Sequence, residues 1–291
     1  MMENFYLERV EEKHYYIREG TILFDGTPDR IREYTKRGIT IAIDCKFGRG
    51  EVPEADVNMQ LRAYLVMIPV EGIDGPMNQG YSAEFRPSSL LRFKVCPGAL
   101  ALERKMRADG LTVPETEDAA EGRMLHDAYA NPKAPRDHLS PEQLETVEKA
   151  ERMAEEFVAF VLNGDGALPY YGAIIQPRTR QKADTVFYTK DDITTARAEI
   201  NRIFDEATLP DAKRNASADA CKFCPCKAIC PEYDAWIMEI DRIRHLPAAQ
   251  WSADQWNVFL TRRRELDKFL KDRYDDAKSI LTAIPDAIPG W

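Results

Sequence analysis

The sequence predicts an α/β protein: a mixed β-sheet core flanked by helices, with a helical module and a C-terminal cysteine cluster. Three observations carry that expectation. Runs rich in β-branched and aromatic residues occur at Tyr15-Tyr16-Ile17, Thr21-Ile22-Leu23-Phe24 and Ile39-Thr40-Ile41-Ala42-Ile43, then return at Gly172-Ala173-Ile174-Ile175 and Thr185-Val186-Phe187-Tyr188. Between the two groups the apolar spacing becomes helical over 87–162. Four of the six cysteines then fall between Cys221 and Cys230.

Taken in order, residues 5–47 read as strands, with Glu19-Gly20 as a turn. Ala55 to Ile68 reads as a helix that Pro69 stops. Gly72, Gly75, Pro76 and Gly80 mark 71–86 as a linker. Pro87-Ser88-Ser89 offers an N-cap for a helix through Cys96, and Glu121 to Tyr129 and Pro141 to Leu162 give two more. Asn163-Gly164-Asp165-Gly166 breaks the pattern, Asp191 to Ala207 is helical, and the chain after the cysteines is helical to about 283. The resulting division is 1–70 (strands and first helix), 71–86 (linker), 87–162 (helical module), 167–218 (remainder of the core) and 219–291 (cysteine cluster and terminal helices).

The chain has 291 residues, 44% of them hydrophobic, which fits a globular protein and excludes a mainly disordered one. Its apolar run from Ala63 to Val70 is far short of the ~20 residues of a membrane span. No basic segment precedes an apolar stretch at the N-terminus, so no secretory leader is expected and a cytoplasmic location is. There, six cysteines point to metal or redox chemistry rather than disulfides. A net charge of −9 argues against wholesale coating of nucleic acid but leaves room for a local basic groove.

The chemistry concentrates at the end of the third β-branched run. In Ile43-Asp44-Cys45-Lys46, alternation along a strand puts Asp44 and Lys46 on one face and Cys45 on the other. Asp29, in Phe24-Asp25-Gly26-Thr27-Pro28-Asp29, adds a second carboxylate. Two carboxylates can hold a hard cation such as Mg²⁺ or Mn²⁺ while leaving positions for phosphate and water, and a nearby lysine can stabilise developing charge. Taken alone, D-x-K at a strand end is better explained by a surface ion pair. On the following helix Gln60 and Tyr64, at i and i+4, share a face.

G-x-x-D, D-x-K and Q-x-x-x-Y in this order resemble the RecB-like branch of the PD-(D/E)xK nucleases. Glu121-Gly122-Arg123-Met124-Leu125-His126 is similar to the histidine-bearing helix of those enzymes. The resemblance implies a restriction-endonuclease-like core, metal binding by Asp29, Asp44 and His126, and a catalytic role for Lys46. It further implies that Gln60 and Tyr64 support the site and contact DNA. His14, His138 and His245 have no such context and read as structural. Arg178, Arg180 and Lys182 offer phosphate contacts as readily as a solvated basic surface, whereas Arg262 to Arg273 read as a solvated helix face.

Cys96 with C-x2-C-x5-C at Cys221, Cys224 and Cys230 resembles the iron–sulfur staple of AddB-type and CRISPR-associated nucleases, which implies a structural 4Fe–4S cluster. Zinc on Cys221, Cys224, Cys226 and Cys230 is the alternative, although one residue between Cys224 and Cys226 is tight for it and Cys96 is then unexplained. Free buried thiols are a third reading. Cys45 is expected in the core and Cys226 is the spare.

The motifs stand in a different order from the family, where the histidine and first cysteine precede the catalytic strands. Residues 1–70 read as a piece displaced from a place near 163–168, and permutation is tolerated where connections are exposed. A swapped dimer completing each site is the variant of this idea. The expected function is a metal-dependent DNA nuclease, exonucleolytic, in phage or mobile-element recombination. Its expected partners are DNA and a recombination or single-strand annealing protein, with no membrane. The alternative is a silent DNA-binding scaffold that keeps the fold.

Overall fold

A computed structural model describes residues 7–10, 14–18, 21–26, 28–48, 52–69, 85–111, 117–164, 168–221, 224–239 and 247–283. The strands are β1 (Leu7–Val10), β2 (His14–Arg18), β3 (Thr21–Gly26), β4 (Arg30–Tyr34), β5 (Ile39–Cys45), β6 (Ile68–Pro69), β7 (Tyr170–Ile175) and β8 (Asp184–Tyr188). The helices are α1 (Met59–Val66), α2 (Leu90–Val95), α3 (Ala99–Ala108), α4 (Glu117–Ala130), α5 (Pro141–Asn163), α6 (Lys190–Thr208), α7 (Ala218–Cys221), α8 (Pro231–Met238) and α9 (Ala253–Ala283).

A five-stranded mixed sheet runs β1-β4-β5-β7-β8, and a smaller sheet runs β3-β2-β6. In the larger sheet β5 and β7 are parallel and the other neighbours antiparallel. Position explains the sequence of β5. As the central strand it is covered on both faces, so Ile39, Ile41, Ile43 and Cys45 enter one core and Ala42 the other. Gly38, at φ 63°, supplies the left-handed residue that turns β4 into β5.

The two faces are covered differently. On one, α4 and α5 bury Leu125, Tyr129, Val147, Met153 and Phe157 against the isoleucines of β5. A capping box at Ser140 and Gln143, with Pro141 in the first turn, starts α5. On the other face α1, α2, α3 and α6 share a core with the cysteine segment. The helices expected as one module over 87–162 therefore divide between the two faces of the sheet.

Several element boundaries differ from expectation. The first helix begins at Met59 rather than Ala55, because Asn58 caps it by accepting from Leu61 N at 2.9 Å. Ala55 is instead tied to β8, donating to Asp184 Oδ2 at 3.0 Å and accepting from the Tyr188 hydroxyl at 3.2 Å. Pro87–Ser89 is a 3-10 turn with no side-chain cap, followed by α2. The linker expected over 71–86 falls outside the described residues except at its end, where Phe85 is buried and stacks on Phe93 at 5.1 Å. β1, β4 and α3 were not anticipated as separate elements.

Candidate functional site

The parallel β5–β7 ladder runs from Thr40 opposite Tyr170 to Cys45 opposite Ile175, and Lys46 N extends it by donating to Ile175 O at 2.8 Å. This fixes Asp44 and Lys46 at the end of the strand most constrained by its neighbours. Cys45 points away and is fully buried, as alternation requires. Lys46 Nζ lies 3.0 Å from each Asp44 oxygen, but only Oδ1 receives a hydrogen bond of proper geometry. Asp44 Oδ2 is left buried without one.

The Lys46 ammonium also donates to Gln60 Oε1 at 3.1 Å, and Gln60 Nε2 donates to the Tyr64 hydroxyl at 2.7 Å. The i and i+4 spacing on α1 thus delivers a chain of contacts from β5 to the helix. Tyr64 is 5% exposed, and the contact the structure gives its hydroxyl here is with Gln60. Gly172 makes the approach of α1 possible. A Cβ at that position would lie 2.7 Å from Leu61 Cδ2 and 3.1 Å from Val186 Cγ1.

Asp29, in the bend just before β4, closes the site. Its Oδ2 accepts from Cys45 N, and its Oδ1 is 3.4 Å from His126 Nδ1 on α4. The His126 ring meets Phe47 edge-on at 4.9 Å. Asp29, Asp44, Lys46, Gln60, Tyr64 and His126 are therefore brought together within one chain. Residue 70 lies outside the described residues. Of the other histidines, His138 is exposed, while His245 and the side chain of His14 lie outside the description.

Charge explains the electrostatics. Burial pushes the Asp44 carboxyl up, the Lys46 ammonium pulls it down, and the Asp29 charge raises it again, leaving it above its ordinary value. Burial alone would lower Lys46 and His126. The carboxylates outweigh it, Asp44 first for Lys46 and Asp29 for His126, and hold both above their ordinary values. Burial beside Asp44 holds the Tyr64 phenol well above its usual range. The neighbourhood favours added positive charge. Two carboxylates, an imidazole and a buried carboxylate oxygen without a hydrogen bond fit a hard divalent cation. Among the described residues, however, no three His, Cys, Asp or Glu side chains already converge as a metal cage.

Arg178 and Arg180 are engaged by protein carboxylates. Arg178 Nη1 donates to Glu121 Oε2 at 2.8 Å, joining the turn after β7 to α4, and Arg180 Nη1 donates to Asp184 Oδ2 at 2.5 Å. On the late helix, Arg262 pairs with Glu239 and lies over Trp236.

The cysteines form a second locus. Cys96, Cys221, Cys224 and Cys230 line one small cavity with Ala99, Leu102 and Tyr233 among its walls. Cys226 does not line it; its sulfur is buried 3.9 Å from Met106 Sδ. The Cys96 sulfur accepts from Asn215 N at 3.2 Å. Gly98 permits that approach, since a Cβ there would meet Ala212 O and lie 2.9 Å from Arg214 N. Burial raises the Cys96 and Cys230 thiols and takes Cys221 to about 11, whereas a hydrogen bond from Cys226 lowers Cys224 to about 6. Asn215, Gly98 and Gly172 carried no sequence signal, because each acts through a segment remote in the chain.

No family model matches the chain, and neither does any curated protein or solved structure. What the arrangement can do rests on its own chemistry. Among the described residues, no helix is long and apolar enough to cross a membrane.

Proposed function

We propose that the chain is a divalent-metal-dependent DNA nuclease with a restriction-endonuclease-like core, its RecB-like motifs in permuted order. The observation that carries the reading is the convergence of Asp29, Asp44, Lys46, Gln60 and His126 from four stretches of chain at the end of β5. A surface ion pair would not need a buried aspartate, a second carboxylate and an imidazole at the same strand end.

Asp29, Asp44 and His126 would hold Mg²⁺ or Mn²⁺. When bound, the cation would polarise a phosphodiester and make a nearby water a better nucleophile. Lys46, held by Asp44 and Gln60, stays protonated, so it contributes fixed positive charge toward the oxygen that gains charge rather than acting as a base. Gln60 sets the direction of the ammonium, and Tyr64, kept as a neutral phenol, sets Gln60. Phe47 and Asp29 fix the His126 ring. Exonucleolytic action on DNA, and service in phage or mobile-element recombination beside an annealing protein, follow from the resemblance alone.

For the cysteine cavity the same reading is a structural 4Fe–4S cluster on Cys96, Cys221, Cys224 and Cys230. It is supported by a cavity lined by Cys96 and not by Cys226, the reverse of what local zinc would use.

The test is degradation of end-labelled DNA by purified protein with Mg²⁺ or Mn²⁺. We expect cleavage that chelation abolishes and that falls ~10³-fold or more in Asp44→Ala. Intact DNA under both metals, with folded wild-type protein, would replace the enzyme by a DNA-binding scaffold.

A further inference from the structure

The helix α9 carries an exposed stripe, at one end of which Trp256 also meets the Trp251 ring at 4.7 Å. Trp256, Leu260, Arg263, Asp267, Leu270 and Tyr274 follow one another at spacings of four, three, four, three and four, a strict heptad seam. At 100° per residue all six fall on one narrow face. Trp256, Leu260, Leu270 and Tyr274 are 40%, 64%, 56% and 52% exposed, and Arg263 and Asp267 are exposed as well. The helix faces its own body with a neighbouring stripe, through Arg262 on Trp236 and Glu239 and through Leu266 against the cysteine-side core.

The seam is self-complementary when read in reverse. Turned about a two-fold axis at position 265, Trp256 falls opposite Tyr274, Leu260 opposite Leu270, and Arg263 opposite Asp267. Aromatic meets aromatic, leucine meets leucine, and cation meets anion, twice over. A parallel pairing would instead stack Arg263 on Arg263 and Asp267 on Asp267, so charge selects the antiparallel arrangement. From these observations we propose that α9 is a homodimer interface, pairing antiparallel with α9 of a second copy of this chain. The contact is isologous, each residue and its opposite recurring across the axis. The Arg263–Asp267 pair, 3.5 Å apart within one helix, exchanges partners across the interface. As a polar layer inside an apolar seam it fixes register, because any shift by a heptad sets charge against leucine.

A seam of ~18 residues spans ~27 Å, which places the interface at the weak end of stable contacts. The test is sedimentation velocity on the full chain from ~5 to ~500 µM, a window that brackets a micromolar dimer. We expect a shift from a 33.3 kDa monomer to a species of twice that mass. Leu260→Glu and Leu270→Glu, each at an exposed position and each counted twice in the dimer, should raise the dissociation constant ~100-fold or more. Arg263→Asp should weaken the dimer by facing Asp267 of the second copy, and adding Asp267→Arg should restore it to within ~3-fold. A monomer throughout the range would overturn the proposal. So would a dimer indifferent to both glutamate variants, or a charge reversal that the second substitution fails to rescue.

Discussion

Two loci gather their residues from distant parts of the chain, and they are built in opposite ways. At the acidic site the side chains already hold one another: Lys46 binds Asp44 and Gln60, Gln60 binds Tyr64, and Asp29 reaches both Cys45 N and His126. At the cysteine cavity the sulfurs face a shared space, and it is the backbone that closes in, through Asn215 N on Cys96 and the contact of Gly98 N with Lys213 O at 2.8 Å. The first is preorganised by a sheet buried on both faces. The second lies among short elements, with Cys96 following α2, Cys221 ending α7 and Cys230 preceding α8. A cation at the acidic site should therefore govern chemistry, and a cluster at the cysteines should govern stability.

That contrast can be broken by a pair of substitutions. If the proposed cluster sits in the cysteine cavity, Cys96→Ser should release it, and with it the link between α2 and the segment from Cys221 to Cys230. Closing a loop of over a hundred residues is worth ~4.7 kcal/mol in the cross-link picture, so a drop of that order in the loaded protein is expected. Iron content should fall with it, while Cys226→Ser should keep its iron because Cys226 does not line the cavity. Asp44→Asn should behave in the opposite sense. It removes one of two neighbouring buried carboxylates, so the metal-free unfolding midpoint should hold or rise. Any rise in midpoint that Mg²⁺ brings the wild type through the proposed site, set by its concentration relative to the dissociation constant, should be lost in Asp44→Asn. Retained iron in Cys96→Ser, with Cys226→Ser losing it, would move the cysteine site to zinc-like local ligation.

The two glycines sharpen the comparison at smaller scale. Gly98→Ala drives a Cβ into the backbone at Ala212 O and Arg214 N, which cannot yield without moving the strand of chain that holds Cys96. Gly172→Ala meets the side chains of Leu61 and Val186 rather than backbone. Overpacking costs ~1–3 kcal/mol, and Gly98→Ala should lie at or above the top of that range with Gly172→Ala inside it. Chemical denaturation gives the stabilities. The functional readouts should separate: Gly98→Ala should lower iron occupancy, and Gly172→Ala should lower DNA cleavage by shifting α1 and Gln60.

The parts of this design legible in the sequence are those written locally. Strand alternation gave the faces of Asp44, Cys45 and Lys46, and the helical period gave the shared face of Gln60 and Tyr64. What stayed hidden depends on long-range placement. β4 reads Arg30-Ile31-Arg32-Glu33-Tyr34, a poor apolar strand, because its arginines are buried by partners elsewhere: Arg30 on the Tyr129 ring and carbonyl, Arg32 on Glu155. α1 looked longer because its apolar pattern begins before Asn58, where Ala55 serves β8 instead. The division of the helices over both faces could not be read from residues 87–162, since each helix shows one apolar face without naming its partner.

The smallest expected effect tests one of those hidden contacts, outside both loci. Arg32 reaches Glu155 with two hydrogen bonds, at 2.7 and 3.1 Å, tying β4 to α5. Those hydrogen bonds hold the Glu155 carboxyl below its ordinary value against the opposing effect of burial. A carboxyl depressed in the folded state stabilises it fully above the unfolded value near 4.5, and that contribution is lost as pH falls through the lower folded value. Because the Glu155 side chain is 58% exposed, solvent screens the pair and its worth should stay below ~1 kcal/mol. The wild type should thus be slightly more stable than Glu155→Gln near neutrality, and the two should converge as pH falls below the ordinary carboxylate range. Urea midpoints measured at intervals across that range give the difference directly. A gap that persists in acid would assign the Arg32–Glu155 contact to packing of its side-chain stems rather than to charge.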